Sequence, residues 1–130
     1  MKRGMIVPAV MLVAATSAGN FQSSRVERAD RALAAALRDR TPGAPVNCIH
    51  ASSVSGPEII DRDTVLYQEG RTVWRNELAT ECRALEAGNT MVIEVNGGQL
   101  CNNDRFRMVE PGQGIPGPYC RLGKFTPYRK

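Results

Sequence analysis

The sequence predicts a small, mainly β domain: an antiparallel barrel or sandwich of about six to seven short strands, stapled by disulfides, with one N-terminal helix after a signal peptide. Three observations support this fold class: apolar and polar residues alternate with a period of two beyond residue 45, turn residues recur between these runs, and four cysteines are present. No long helical segment separates the strand candidates, as a βαβ fold would require. We expect a signal peptide over residues 1–18, a helical arm over 19–43 and a disulfide domain over 44–130.

The N-terminus has the order of a secretory signal. Lys2 and Arg3 are followed by an apolar run over residues 5–15 and small residues at 16–18. The run of 11 residues is too short for a membrane span, which needs about 20. We therefore expect cleavage after Ala18, with Ala15 as the alternative, and a periplasmic or secreted protein without a transmembrane span. The competing interpretation is a buried N-terminal element of a cytosolic protein.

The arm carries a helix signature. Ser24 and Glu27 form an S-x-x-E capping box, which predicts Ser24 as the N-cap. Residues 41–43, Thr-Pro-Gly, end the helix. The apolar residues at helical spacing form a narrow stripe that includes two alanines: Val26, Ala29, Leu33, Ala36 and Leu37. The sequence leaves open whether this helix packs on the domain or is a solvated spacer.

Seven segments have strand character. The clearest two flank Glu69-Gly70, a candidate two-residue hairpin turn. A Gly/Pro-rich stretch over residues 111–118 predicts a loop of low order. The strand candidates are residues 46–50, 58–60, 64–68, 71–76, 90–95, 104–109 and 121–128.

The four cysteines, Cys48, Cys82, Cys101 and Cys120, all follow the leader. In an exported chain of this size they predict two structural disulfides, because a domain of about 85 residues has a marginal core. The closest cysteines are 19 positions apart, unlike the close pairs of zinc sites, so we expect no metal. Chain entropy does not distinguish nested from sequential pairing. We prefer the nested set, Cys48–Cys120 with Cys82–Cys101, which ties the first predicted strand to the last.

The charge argues against nucleic acid as a partner. Without Lys2 and Arg3 the chain has 15 basic and 13 acidic residues, a net charge of +2. Four arginines on strand candidates could combine with an aromatic residue in an oligonucleotide-binding face, but the near-neutral charge and the expected export disfavour it. These arginines are Arg71, Arg75, Arg105 and Arg107.

Catalytic chemistry has little support in the sequence. His50 is the only histidine, and no nucleophile turn surrounds the serines that follow it. Three nearby acidic residues are better explained as turn formers than as calcium ligands: Glu58, Asp61 and Asp63. We expect a non-catalytic protein without a cofactor. The alternative is a small periplasmic hydrolase that uses His50 with one of three carboxylates, Asp61, Asp63 or Asp104.

The central hairpin is the first candidate for a binding face, formed by Tyr67, Trp74 and Arg75. The competing interpretation of Trp74, the single tryptophan, is core or half-buried packing. We expect a monomer that binds a protein or small ligand in the cell envelope. A further alternative is a protease inhibitor or envelope stress protein with an exposed inserting loop over residues 111–118.

Four sequence segments carry a family resemblance: Val73-Trp74-Arg75-Asn76-x-Leu78, Cys82-x-x-Leu85, Leu100-Cys101-x-x-Asp104, and Cys120-x-Leu122-Gly123-x-Phe125-x-Pro127. With Cys48-Ile49, they make residues 46–127 resemble a family of uncharacterised, exported proteobacterial proteins with four cysteines. The resemblance implies export and a shared four-cysteine framework. It implies no activity, so no catalytic residue is carried over.

Overall fold

A computed structural model describes residues 18–130, with side chains from residue 21. The predicted signal peptide, residues 1–18, lies outside this range apart from Ala18. The mainly β, disulfide-linked fold with one helix is confirmed, but its sheets do not close into a barrel. In the described range no helix is both long and apolar enough to span a bilayer.

Helix α1 spans Ala18–Ala36 and begins before the predicted cap. Ser24 lies inside the helix, where its hydroxyl donates a 3.0 Å hydrogen bond to the carbonyl of Phe21. The N-cap prediction was therefore wrong: the serine bonds back to the preceding turn instead of starting the helix. The chain leaves the helix through Asp39, which has a left-handed φ of 58°.

Ten short strands follow within the described residues, in three antiparallel sheets. The sheet orders are β1-β10-β5-β4-β3, β2-β7 and β6-β8-β9. The count exceeds seven because Thr41–Pro42 and Gln99–Cys101 were not predicted, and the last predicted strand is divided in two. The strands are β1 Thr41–Pro42, β2 Cys48–His50, β3 Ser55–Asp61, β4 Thr64–Glu69, β5 Thr72–Glu77, β6 Thr90–Ile93, β7 Gln99–Cys101, β8 Arg105–Val109, β9 Cys120–Arg121 and β10 Phe125–Arg129.

The central hairpin forms with its turn one residue later than predicted. Glu69 pairs with Thr72, so the two-residue loop is Gly70-Arg71. Gly70 has a φ of 55°, a conformation that glycine adopts without steric cost. The position of this glycine therefore sets the register of β4 against β5.

One core joins the three sheets. It lies on the inner face of the five-stranded sheet and receives side chains from the two smaller sheets and from the segment after β5. Its most deeply buried members include Val65, Leu85, Phe106, Met108 and Phe125, each at most 2% exposed.

A buried polar lock holds β5 against the loop before β10. The side-chain amide of Asn76, fully buried, donates to the carbonyl of Gly123 at 2.7 Å and accepts from its N–H at 2.8 Å. A Cβ at Gly123 would overlap the Glu77 carbonyl, so only glycine permits this approach. The lock satisfies both polar ends of a side chain that would otherwise be costly to bury.

The disulfides are crossed, not nested. Cys48 bonds to Cys101, and Cys82 bonds to Cys120. The preferred pairing was wrong because strand β7 was not predicted: β7 lies antiparallel to β2 and places Cys101 directly opposite Cys48. Cys82, which is 2% exposed, ties the segment after β5 to β9.

Helix α1 lies along β3 and across the outer face of the five-stranded sheet. Over residues 21–36 of the helix, Ala29 is the single buried residue, and Leu33 and Ala36 are half-buried. The Arg25 guanidinium reinforces the contact with a 2.8 Å ion pair to Asp61 in β3. The question that the sequence left open is answered: the arm packs on the domain through a narrow stripe.

Candidate binding site

Among the described residues, no hydrogen bond or ion pair joins His50 to Asp61, Asp63 or Asp104, the residues of the alternative hydrolase hypothesis. His50 is exposed at the end of β2, and its imidazole has no hydrogen-bond or ion-pair partner in the part of the chain that the structure describes. Asp61 is occupied by Arg25 and by the backbone N–H of Arg62. Asp104 accepts the Cys101 N–H at 2.7 Å, the role in backbone satisfaction that its position predicts. Within residues 18–130, no cluster of three His, Cys, Asp or Glu side chains could hold a metal ion.

The hairpin residues contribute mainly to the core. Tyr67 is 3% exposed and packs against Phe125 with ring centroids 6.1 Å apart. This burial raises the pKa of the Tyr67 phenol well above its usual range. Trp74 lies directly opposite Tyr67, is half-buried, and donates its indole N–H to Glu69 at 2.8 Å, which confirms the packing interpretation. Arg75 pairs with Leu66 and points to the other face of the sheet, so these residues do not form one exposed surface.

A different aromatic residue, Tyr119, contacts two of the arginines. Along β8, Phe106 and Met108 point into the core. The alternation therefore places Arg105 and Arg107 on the opposite, solvent-facing side of the three-stranded sheet. Both guanidinium carbons stand over the Tyr119 ring, 4.8 Å and 4.7 Å from its centroid. These are cation–π distances, and Tyr119 remains 50% exposed.

Arg121 completes the cluster. Strand β9 places it directly opposite Arg105, an arrangement of like charges that costs stability in a sheet. Its guanidinium donates at 3.0 Å to the carbonyl of Asn103, a neutral partner. We call Arg105, Arg107, Tyr119 and Arg121 the arginine–tyrosine face.

Little negative charge balances this face. Glu94 accepts from Arg105 at 3.0 Å. Arg107 instead donates to the carbonyls of Gly117 and Pro116, at 2.7 Å and 3.3 Å. These hydrogen bonds hold Arg107 in place and leave its charge unneutralised. With three guanidiniums and the one carboxylate paired to them, the cluster has a net charge of +2.

The Gly/Pro segment over residues 111–118 is tied to the sheet beside this face. Val109 and Pro116 form a bridge, and the Gly117 N–H donates to Met108 at 2.8 Å. The loop is therefore more ordered than its composition predicts. It presents Ile115, which is 76% exposed, next to the carbonyls that hold Arg107. Val92, opposite Arg107 in β6, adds a second exposed aliphatic side chain.

Sequence reasoning found only part of this site. Arg105 and Arg107 were identified on their strand but were set aside because the whole chain is nearly neutral. Tyr119 and Arg121 were missed, although they flank Cys120, whose disulfide fixes the position of β9. The one available signal was the alternation Arg-Phe-Arg-Met, which assigns both arginines to a single face.

Comparison of the chain with protein-family models, curated proteins and solved structures gives no match.

Proposed function

We propose that this chain is an exported, non-catalytic domain that binds an acidic partner protein in the cell envelope through the arginine–tyrosine face. The signal-like N-terminus supports export to the periplasm or beyond, and two disulfides are typical of an oxidising compartment. The resemblance to exported four-cysteine proteins is in agreement with this location. The isolated His50 supports a role without catalysis.

The observation that carries the proposal is the clustering of like charge on one sheet face. Arg105 and Arg121 are direct cross-strand neighbours, and Arg107 is two residues further along β8. Like charges directly opposite each other destabilise a sheet. Where a natural sequence keeps such a destabilising arrangement, the position is usually a functional site. An acidic partner would neutralise the face and remove this cost.

The composition of the face favours a protein as the partner. Arginine and tyrosine are among the residue types enriched at the energetic centres of protein interfaces. The guanidinium fork matches carboxylates in bidentate geometry. The exposed Tyr119 ring and Val92 offer apolar contact between these charges. This combination suits an extended acidic segment that carries an apolar side chain.

The test uses poly-L-glutamate as the probe, with binding measured by isothermal titration calorimetry at two salt concentrations. We expect binding that weakens with salt, and a loss of about tenfold in the Arg105→Gln/Arg121→Gln variant, as charged hydrogen bonds predict. Arg71→Gln is the matched control, since it removes an exposed arginine from the hairpin turn away from the face. Equal losses in both variants would contradict the proposal. So would binding to phosphatidylglycerol vesicles without binding to poly-L-glutamate.

The tied loop favours a second candidate function, protease inhibition. Residues 111–118 are anchored at their C-terminal end by backbone and Arg107 hydrogen bonds, and they expose Ile115. An inhibitor of this kind would slow a serine protease that accepts aliphatic residues, and Ile115→Asp would abolish the effect. Ordinary cleavage of the loop, without inhibition, would exclude this candidate.

A further inference from the structure

A second, separate site lies where helix α1 meets the sheet. A cleft of about 400 Å³ separates the helix from β3 and from the segment at residues 85–87. We call it the helix–sheet cleft. Its apolar lining consists of side chains from three parts of the chain: Ala29 and Ala32 from the helix, Ile59 and Ile60 from β3, and Leu85.

The cleft is open because the helix is lined with small residues there. Ala29 and Ala32 are one turn apart and place only methyl groups over the isoleucines of β3. Longer side chains at these positions would fill the space. The volume lies in the range of small-molecule sites, which are mostly apolar with a few polar groups that orient the ligand.

Charged side chains surround the opening, and all but one of them are paired. Arg25 contacts Asp61 at 2.8 Å, and Arg62 contacts Glu86 at 2.8 Å and Glu81 at 3.6 Å. Arg28 also lines the cleft, is exposed, and forms no ion pair or hydrogen bond within the described residues. When Glu81 is included, three arginines face three carboxylates, and Arg28 is the one charged side chain of the lining without an ionic partner in this part of the chain.

A ligand with an apolar body and one anionic oxygen-bearing group would match the apolar lining and Arg28.

We propose that the helix–sheet cleft binds a small amphipathic carboxylate, with a medium-length alkyl chain over Ala29, Ala32 and Ile59 and the carboxylate beside Arg28. This inference does not depend on the arginine–tyrosine face, which lies on another sheet. The unpaired Arg28 selects the anion, and the apolar lining selects the alkyl chain.

The experiment titrates the full mature chain with decanoate, kept below its micelle concentration, and follows the methyl NMR signals of Ile59 and Ile60 with calorimetry in parallel. We expect saturable shifts of these methyl signals. Decyltrimethylammonium, with the same chain and the opposite charge, should bind at least tenfold more weakly. Equal binding of the two compounds, or shifts confined to other residues, would overturn the proposal.

Three variants locate the ligand. Arg28→Gln should weaken decanoate binding by about tenfold, the effect of losing one charged hydrogen bond. Arg31→Gln is the matched control, because Arg31 is exposed on the same helix but does not line the cleft. Ala32→Phe should abolish binding by filling the space. Unchanged affinity in Arg28→Gln contradicts the proposal even if Ala32→Phe does not fold.

The two proposals fail separately. Arg105→Gln/Arg121→Gln should bind decanoate as the unmodified chain does, and Arg28→Gln should keep its affinity for poly-L-glutamate. A loss of decanoate binding in the first variant would show that the carboxylate binds at the arginine–tyrosine face and would overturn the assignment to the cleft.

Discussion

The two faces of the five-stranded sheet differ in how they are covered. On the inner face, Val65, Tyr67 and Phe125 are 0–3% exposed in a core shared with the other sheets. On the outer face, helix α1 touches the sheet through an alanine-rich stripe and leaves a cleft at its side. Alternation along β4 and β5 supplies buried side chains to both faces, since Leu66 and Val73 on the outer face are 3% and 6% exposed. The cover differs, because the inner face is shared with two other sheets and the outer face is covered in part by one helix. We infer that the inner face contributes most of the stability, and that the cleft beside the helix is free to bind.

The test with the largest expected effect removes the Cys82–Cys120 disulfide, which lies on the side of the inner face. We expect the Cys82→Ala/Cys120→Ala variant to lose about 4 kcal/mol of unfolding free energy, since this bridge closes a 38-residue loop. Urea denaturation followed by Trp74 fluorescence measures the loss. A loss below about 1 kcal/mol would show that the core does not depend on the disulfide.

A matched pair of leucines compares the two faces directly. Leu122→Ala removes a side chain that is 3% exposed in the core and should cost about 3 kcal/mol. Leu33→Ala removes a half-buried leucine from the helix and should cost about 1 kcal/mol. Amide hydrogen exchange separates the effects further: Leu33→Ala should speed exchange in α1 alone. Equal losses from the two substitutions would contradict the comparison.

Alkaline pH tests the burial of Tyr67. Its folded-state pKa is raised above the ordinary value of 10.0, so the folded state favours the neutral phenol. The contribution of the neutral Tyr67 phenol to the free energy of unfolding is therefore fully present below about pH 10. Above that pH the free energy of unfolding falls by up to about 1.4 kcal/mol per pH unit. Tyr67→Phe should flatten this decline. Unfolding midpoints between pH 8 and 11 provide the measurement.

The smallest expected effect concerns the attachment of the helix. Arg25 and Asp61 form a partly exposed ion pair, with side chains 31% and 23% exposed, and such pairs contribute about 0.5 kcal/mol. Arg25→Gln should lose this amount at low salt and almost nothing in high salt. Arg31→Gln serves as the control. A loss that is independent of salt would assign the effect to packing.

The sequence predicted the strands that alternate over five or six residues and missed two of the short ones, Thr41–Pro42 and Gln99–Cys101. Strands β4, β5 and β8 were identified from their period. Strand β7, Gln99–Cys101, is too short to show a two-residue period. Because this strand was not predicted, the predicted disulfide pairing was wrong. Ser24 had the local pattern of a cap, but the helix extends past it because the preceding turn also adopts helical geometry.

The proposed binding surfaces were less predictable because they depend on tertiary placement. Tyr119 follows a Gly/Pro loop, and nothing local indicates that its ring meets Arg105 and Arg107. The helix–sheet cleft depends on which side of the helix carries Ala29 and Ala32 relative to β3. The small net charge of the chain conceals this local cluster of arginines.

The crossed disulfides determine which fragments stay joined after proteolysis. Suppose that the backbone is cut twice, once between Cys48 and Cys82 and once between Cys101 and Cys120. The middle piece then stays bound to the first piece through Cys48–Cys101 and to the last through Cys82–Cys120. Nested bridges would have released that piece. A nicked molecule therefore keeps all three fragments in one covalent assembly until its sulfur links are reduced.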